Sequence, residues 1–275
     1  MKKIPIGIYE KALPDFGESV DIKRNMYLLA EMGYDFLEIS LDRQKLKRLQ
    51  WTNEEKKAWV HASLDSGVKL YNIVLSAHRD FPFGSENANT RQEALDIMKQ
   101  TIEFAAHIGI RTIQVAGYYT ESNEVSNNDS KKRFIEGLYH SVESAKQSGV
   151  MLGIENVDKD IISLEQIREI IEEINSPWLK MYPDIGNLAA NGKDVEQEIT
   201  KNIHHLVGIH LKDVKKGVFR RVPYGEGIVD FNSFFKKMYE LSYRGPYGLE
   251  MWNDNHKNSV EIIKNARKWM LNQMV

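Results

Sequence analysis

Apolar runs that read as β-strands fall near Ile6 to Tyr9, Phe36 to Ser40, Lys69 to Leu75, Thr112 to Ala116, Val150 to Glu155, Leu179 to Asp184, Leu206 to Leu211 and Tyr247 to Glu250. Between them the apolar period changes from that of a strand to that of a helix. Leu95, Met98, Ile102, Ala105 and Ile108 step by 3, 4, 3 and 3, and Val260, Ile263, Ala266 and Met270 by 3, 3 and 4, so each set lines one helix face. Glycine stands just before the next strand in Met32-Gly33-Tyr34, Ser66-Gly67-Val68, Ile108-Gly109-Ile110 and Ser148-Gly149-Val150, where a helix C-cap belongs. Strand, loop, helix and glycine turn thus repeat about every thirty residues, the order of βα units around a parallel sheet. Eight such units predict an α/β fold of the closed (β/α)8 TIM-barrel type. No linker, low-complexity tract or second composition breaks residues 1–275, so a single domain is expected.

The longer connections, Ser76 to Ala88, Gly117 to Ser130 and Lys212 to Asp230, follow the third, fourth and seventh strands. In a barrel such loops gather at the C-terminal mouth, where substrates bind. The acidic, polar stretch from Glu121 to Asp129 reads as a mobile cover over that mouth.

Composition narrows the function classes. The chain is 42% hydrophobic and 28% charged, enough apolar material for a large core. A net charge of −2 and a pI of about 6.5 give no global attraction to nucleic acid or anionic membrane, so any phosphate must be gripped locally. There are no cysteines, which excludes disulfides, thiolate metal sites and cysteine nucleophiles and fits a reducing, cytoplasmic setting. The basic start Met1-Lys2-Lys3 has no apolar stretch behind it, so no signal peptide is expected, and no run is long enough to span a membrane.

Four of the strand runs end in a side chain able to ligate a metal: Glu155, Asp184, His210 and Glu250. A charge beside buried apolar strands is costly unless something pairs with it, and four in succession point to a shared counter-charge, most simply one divalent cation. Three carboxylates and an imidazole suit Zn²⁺ or Mn²⁺ first, with Co²⁺ or Mg²⁺ as other candidates. Glu155 and Glu250 would stand three strands apart on the ring and flank whatever the ion holds. A metal on adjacent oxygens of a ketose polarises the carbonyl and stabilises an enediolate, and two flanking carboxylates can take a proton from one face and return it to the other. That is epimerisation; aldose-ketose isomerisation, which moves the proton between adjacent carbons, remains open at this point.

The segments Ile6-Gly7-Ile8-Tyr9-Glu10-Lys11-Ala12-Leu13-Pro14, Leu75-Ser76-Ala77-His78-Arg79, Tyr182-Pro183-Asp184-Ile185-Gly186-Asn187-Leu188, Ile209-His210-Leu211-Lys212-Asp213 and Val222-Pro223-Tyr224-Gly225-Glu226-Gly227 carry a resemblance through to Glu250-Met251-Trp252. In them the chain resembles the L-ribulose-5-phosphate 3-epimerases, a family within the xylose-isomerase-like TIM barrels. The resemblance implies interconversion of L-xylulose 5-phosphate and L-ribulose 5-phosphate, typically in bacterial L-ascorbate breakdown, and a homodimer. It also implies a metal held by Glu155, Asp184, His210 and Glu250, with Glu155 and Glu250 as the acid/base pair. Epimerases of the wider superfamily often carry a histidine three residues after the metal aspartate, and Asn187 stands there instead. Asn187 can bond a substrate hydroxyl but cannot carry a proton near neutral pH.

Further candidates for substrate contact each have a bland counterpart. His78 could touch the sugar and Arg79 its phosphate, or both could belong to a polar loop. Lys212 shares the side-chain parity of His210 and could face the metal or the solvent. Arg220 and Arg221 close the basic run Lys215-Lys216-Gly217-Val218-Phe219-Arg220-Arg221 and suit a bidentate grip on the phosphate of a pentulose 5-phosphate. Backbone amides around Gly225-Glu226-Gly227 are a second candidate cradle. Glu38 offers a substrate hydrogen bond or an ion pair inside the barrel. Rival functions are a sugar isomerase, an epimerase of an unphosphorylated ketose, and, more remotely, an apurinic-site endonuclease-like hydrolase, which the mild acidity and 8 histidines fit poorly.

Overall fold

A computed structural model describes residues 4–14, 21–253 and 258–274; the basic start Met1-Lys2-Lys3 lies outside them. The eight expected strands form as β1 (Ile6–Tyr9), β2 (Phe36–Ser40), β3 (Lys69–Leu75), β4 (Thr112–Ala116), β5 (Met151–Glu155), β6 (Leu179–Met181), β7 (Ile209–Leu211) and β10 (Tyr247–Leu249). They pair in parallel in the order β6-β5-β4-β3-β2-β1-β10-β7. Two isolated parallel bridges, Met181 with Leu206 and Asp184 with His210, close the ring between its end strands.

β6 and β7 are shorter than expected. Pro183 has no N–H to extend β6 toward Asp184, yet its carbonyl accepts from His210 N at 2.8 Å, so pairing resumes one residue later. That bridge sets Asp184 beside His210. The long connection after β7 holds an element the hydrophobic pattern did not predict, an antiparallel hairpin of β8 (Asp213–Lys215) and β9 (Val218–Val222). On β9 no residue is fully buried and Arg220 and Arg221 interrupt the apolar positions, so the segment carries little of the apolar alternation by which strands are read.

Helices α1 (Ile22–Glu31), α2 (Asn53–Ser66), α3 (Ala88–His107), α4 (Asn128–Ser148), α5 (Leu164–Ile174), α6 (Ile185–Ala190), α7 (Val195–Asn202), α8 (Phe231–Glu240) and α9 (Ser259–Gln273) follow the strands. On α3 the stripe Met98, Ile102 and Ala105, continued by Ile108 just past the helix end, is buried as expected, with Leu95 packed at its edge. On α9 Ile263, Ala266 and Met270 are buried but Val260, in the first turn, is exposed. Gly67 and Gly149 cap α2 and α4 in the left-handed conformation, at φ of 76° and 65°. Among the described residues no helix is long and apolar enough to cross a membrane.

The loop after β4 is tied down. Ser85 donates to Glu124 at 2.7 Å, Thr120 and Ser126 share a hydrogen bond of 2.8 Å, and Lys159 donates to the carbonyls of Thr120 and Glu121. The stretch expected to cover the mouth is thus bonded to the loops after β3 and β5.

Candidate metal centre and active site

Each barrel strand presents alternate side chains to the lumen, and at the C-terminal end several of these are polar. The ligand atoms of Glu155, at the end of β5, Asp184, the N-cap of α6, His210 in β7 and Glu250, just past β10, all lie within 4.8 Å of one another, and all four residues are buried. Four positions spread over 96 residues of sequence thus converge on one point because their strands are neighbours on the ring.

His210 is held on both ring nitrogens. Nδ1 lies 2.6 Å from Glu155 Oε1, and Nε2 lies 3.1 Å from Glu38 Oε2 on the far side. Glu38 is itself fixed, since its Oε1 accepts from the Tyr182 hydroxyl at 2.5 Å and from Asn72 Nδ2 at 3.0 Å. A Cβ on Gly248, which pairs with His210 in the ladder, would come within 2.3 Å of Glu38 Oε2, so only glycine leaves the carboxylate its place. Burial works against a charged His210, but the carboxylates of Glu38 and Glu155 outweigh it and hold its pKa well above the usual histidine range. Burial and Glu38 together push the Tyr182 hydroxyl well above the usual phenol range, so it stays a donor.

On the opposite side of the cluster the Lys212 ammonium lies 2.6 Å from Asp184 Oδ2 and 3.0 Å from Glu250 Oε2. Burial pushes the Asp184 carboxyl well above the usual range, with Glu250 adding to it and Lys212 opposing. Burial also opposes the charge on Glu250, but there Lys212 prevails and the pKa lies below the usual range. Two facing carboxylates that resist double ionisation are the electrostatic mark of a place where a cation is favoured.

The donor set fits a divalent cation. Three carboxylates and one imidazole are within reach of a single ion, with one ammonium in contact with them, and Glu38 fixes the imidazole by Nε2 so that Nδ1 faces the three carboxylates. This is the arrangement of a metal-ligating histidine whose other nitrogen donates to a carboxylate.

The remaining sequence candidates go to different places. Asn187 uses its amide nitrogen to donate to the Asn156 carbonyl at 2.9 Å, and its backbone N–H donates to Asp184 Oδ1 at 2.9 Å. His78 is buried against Phe83, ring centroids 4.5 Å apart, with Nε2 on the Ala94 carbonyl at 3.2 Å. Burial pulls its pKa down to about 4, so it is neutral at physiological pH, and it sits between the 3₁₀ turn Ser76–Arg79 and α3 with no contact to the four ligands. Arg220 and Arg221 stand on β9, and Arg221 lines a cavity of about 210 Å³ with Lys212, Glu250 and Trp252. The amides of Gly225 and Gly227 donate to Asp213 Oδ2 at 2.9 and 3.0 Å, which corrects their reading as a phosphate cradle.

Three supporting residues escaped the reading by strand ends. Gln114 in β4 donates to Glu155 Oε2 at 2.6 Å, and Asn72 and Tyr182 hold Glu38. A signal for Gln114 and Asn72 was present: each is an uncharged polar residue inside an otherwise apolar strand, where burial demands a partner.

The xylose isomerase-like TIM barrel family model matches residues 26–273. The L-ribulose-5-phosphate 3-epimerase UlaE of Escherichia coli O157:H7 (strain EC4115 / EHEC) is 42% identical over 276 aligned positions, covering 99% of this chain and 96% of that protein. The chain belongs to the L-ribulose-5-phosphate 3-epimerase family of xylose isomerase-like TIM barrels. Solved barrels agree with this family's fold. The structure of an L-ribulose 3-epimerase superposes with a TM-score of 0.79 at 19% identity, covering 99% of this chain and 95% of that one. That of the 3-keto-D-glucoside 4-epimerase YcjR from E. coli superposes with a TM-score of 0.81 at 18% identity, covering 98% and 100%.

Proposed function

We propose that this protein is a metal-dependent 3-epimerase interconverting L-xylulose 5-phosphate and L-ribulose 5-phosphate. The observation that carries the reading is the convergence of Glu155, Asp184, His210 and Glu250 on one buried point, in a chain 42% identical to an L-ribulose-5-phosphate 3-epimerase. These four residues would hold the ion, Zn²⁺ or Mn²⁺ first. When bound it supplies Lewis acidity beside the ketose carbonyl, which favours loss of the C3 proton to an enediolate.

The protein's own groups do the rest. Glu155 and Glu250 come from β5 and β10, three steps apart around the closed ring, so they approach the bound sugar from different sides. One takes the C3 proton and the other returns a proton to the opposite face, which inverts the centre. Lys212 keeps Glu250 ionised, and Gln114 orients Glu155 through Oε2. Burial of the cluster excludes bulk water that would compete for the proton.

The test is incubation with L-xylulose 5-phosphate in deuterated water, with and without chelator. Deuterium should appear at C3, and only when metal is present. Label at C1 instead would mean aldose-ketose isomerisation, and exchange indifferent to chelator would remove the ion from the mechanism.

A further inference from the structure

The outer face of the barrel carries a cleft of about 310 Å³ between α3 and α4, whose lining includes Phe83, Arg91, Leu95, Arg133, Gly137 and His140. Arg133, Gly137 and His140 recur on α4 at steps of 4 and 3, and Ala88, Arg91 and Leu95 on α3 at steps of 3 and 4, so each set shares one helix face. Gly137 makes the room, because a Cβ there would come within 2.5 Å of the buried Phe83 ring in the cleft wall. No residue of the lining is a metal-binding side chain or a hydrogen-bond partner of one. The cleft therefore lies apart from the cluster inside the barrel.

Both arginines are only half used. Arg91 gives Nη1 to the carbonyls of Ser85 and Glu86, each at 2.9 Å, and Arg133 gives Nε to the carbonyl of Gly84 at 3.0 Å. These bonds tie down the segment after β3 and fix the direction of both forks, so little side-chain freedom is left to lose on binding. Arg133 Nη2 is buried and has no hydrogen-bond partner, which is costly for a donor on a charged group. Among the described residues neither arginine forms an ion pair. Arg48, by contrast, gives Nη1 and Nη2 to the two oxygens of Glu10 at 2.6 Å each. Glu136 is the single acid of the lining, and it is exposed and bonded to neither arginine. Two guanidiniums against one carboxylate leave the lining positive, with the exposed His140 imidazole at its rim.

We propose that this cleft is a second anion site, separate from the catalytic mouth, and that it takes a phosphate dianion, free or as the monoester of a small metabolite. A guanidinium fork matches phosphate oxygens in geometry as well as in charge. Two forks already held by backbone carbonyls present their remaining N–H groups without rearrangement. The volume of about 310 Å³ falls at the small end for ligand pockets, roughly 300–1,000 Å³, which suits one phosphate and a short carbon chain. Phe83 and Leu95 give such a chain an apolar wall. The site involves no metal and does not depend on the epimerase reading.

The test titrates inorganic phosphate and glycerol 3-phosphate calorimetrically into the wild type, Arg133→Gln, Arg133→Lys and Arg91→Gln, with amide hydrogen exchange locating each binding event. One event should protect residues 82–95 and 130–140. Its Kd should rise by roughly 10- to 100-fold in Arg133→Gln and by less in Arg133→Lys, which keeps the charge but not the fork. Any binding at the barrel mouth should be unchanged, and circular dichroism shows whether each variant is folded. A lower Kd for glycerol 3-phosphate than for inorganic phosphate at this event would assign a monoester as the ligand, and an equal or higher one would assign free phosphate. Protection confined to the barrel mouth, or a Kd that none of the three substitutions moves, would overturn the site and leave both arginines as anchors of the loop after β3. Should Arg133→Gln not fold, Arg91→Gln, which leaves the bond from Arg133 to Gly84 in place, decides by the same comparison.

Discussion

Glu155 and Glu250 are the side chains on which turnover depends most directly. Replacing either by glutamine keeps its shape and removes its basicity. Glu155→Gln and Glu250→Gln should therefore each lower C3 deuterium exchange by about 10²- to 10⁴-fold while the circular dichroism spectrum stays unchanged. Near-normal exchange in one variant would remove that residue from the acid/base pair. Glu38 acts a step further out, because it touches His210 and not the point where the ligands meet. Glu38→Gln should weaken calorimetric binding of Mn²⁺ or Zn²⁺ by roughly 10- to 100-fold, the usual cost of losing a carboxylate behind a metal-bound histidine. His78 provides a pH dependence with a definite sign. Its folded pKa, about 4, lies below the ordinary histidine value of 6.5, so between these limits the unfolded chain binds a proton that the folded chain refuses. The stability tied to neutral His78 is fully present above about pH 6.5 and falls by up to about 3 kcal/mol as pH drops toward 4. Thermal unfolding followed from pH 7 to pH 4.5 should show this decline, and His78→Gln should flatten it.

Among the elements, the β8–β9 hairpin depends on one buried carboxylate. Asp213 accepts from the backbone N–H groups of Val214, Gly225, Gly227 and Val229, so a single side chain gathers both ends of the segment. Asp213→Ala leaves these amides without that acceptor. Since buried polar groups left unsatisfied cost about 1–3 kcal/mol each, the substitution should lower the melting temperature and expose the segment around Lys216 to limited proteolysis. Unchanged melting and cleavage would mean that water replaces the carboxylate at no cost. The eight barrel strands were legible because apolar runs bounded by glycine turns leave few alternatives. The hairpin was not, since its order comes from Asp213 and not from an apolar face. The turn after β3 illustrates a second limit. Successive side chains of a 3₁₀ turn point about 120° apart, so the neighbours His78 and Arg79 must diverge, and the sequence does not say which faces the mouth. Packing of His78 on Phe83 and of Arg79 on Tyr118 decides it.

For the whole molecule, closure of the ring and binding of a metal are linked. The bridge between Asp184 and His210 belongs to the seam between β6 and β7, so an ion shared by these residues ties together the least regular part of the barrel. A ligand that binds only the folded state at 1,000 times its Kd adds about 4 kcal/mol. Addition of Mn²⁺ or Zn²⁺ should accordingly raise the melting temperature by on the order of 10 °C, and chelator should reverse it. No shift with any of the divalent candidates would count against the metal centre. The sequence by itself determined the number and direction of the βα units and which strands end in ligating side chains, because these follow from local apolar periodicity and from the cost of burying a lone charge. It did not determine how those ends are held. That Glu38 faces His210, that Gln114 faces Glu155, and that His78 packs on Phe83 while Arg79 lies against Tyr118 was decided only by the tertiary structure. Each depends on strand register and ring closure, which bring together residues as far apart as Glu38 and His210 and which no local pattern encodes.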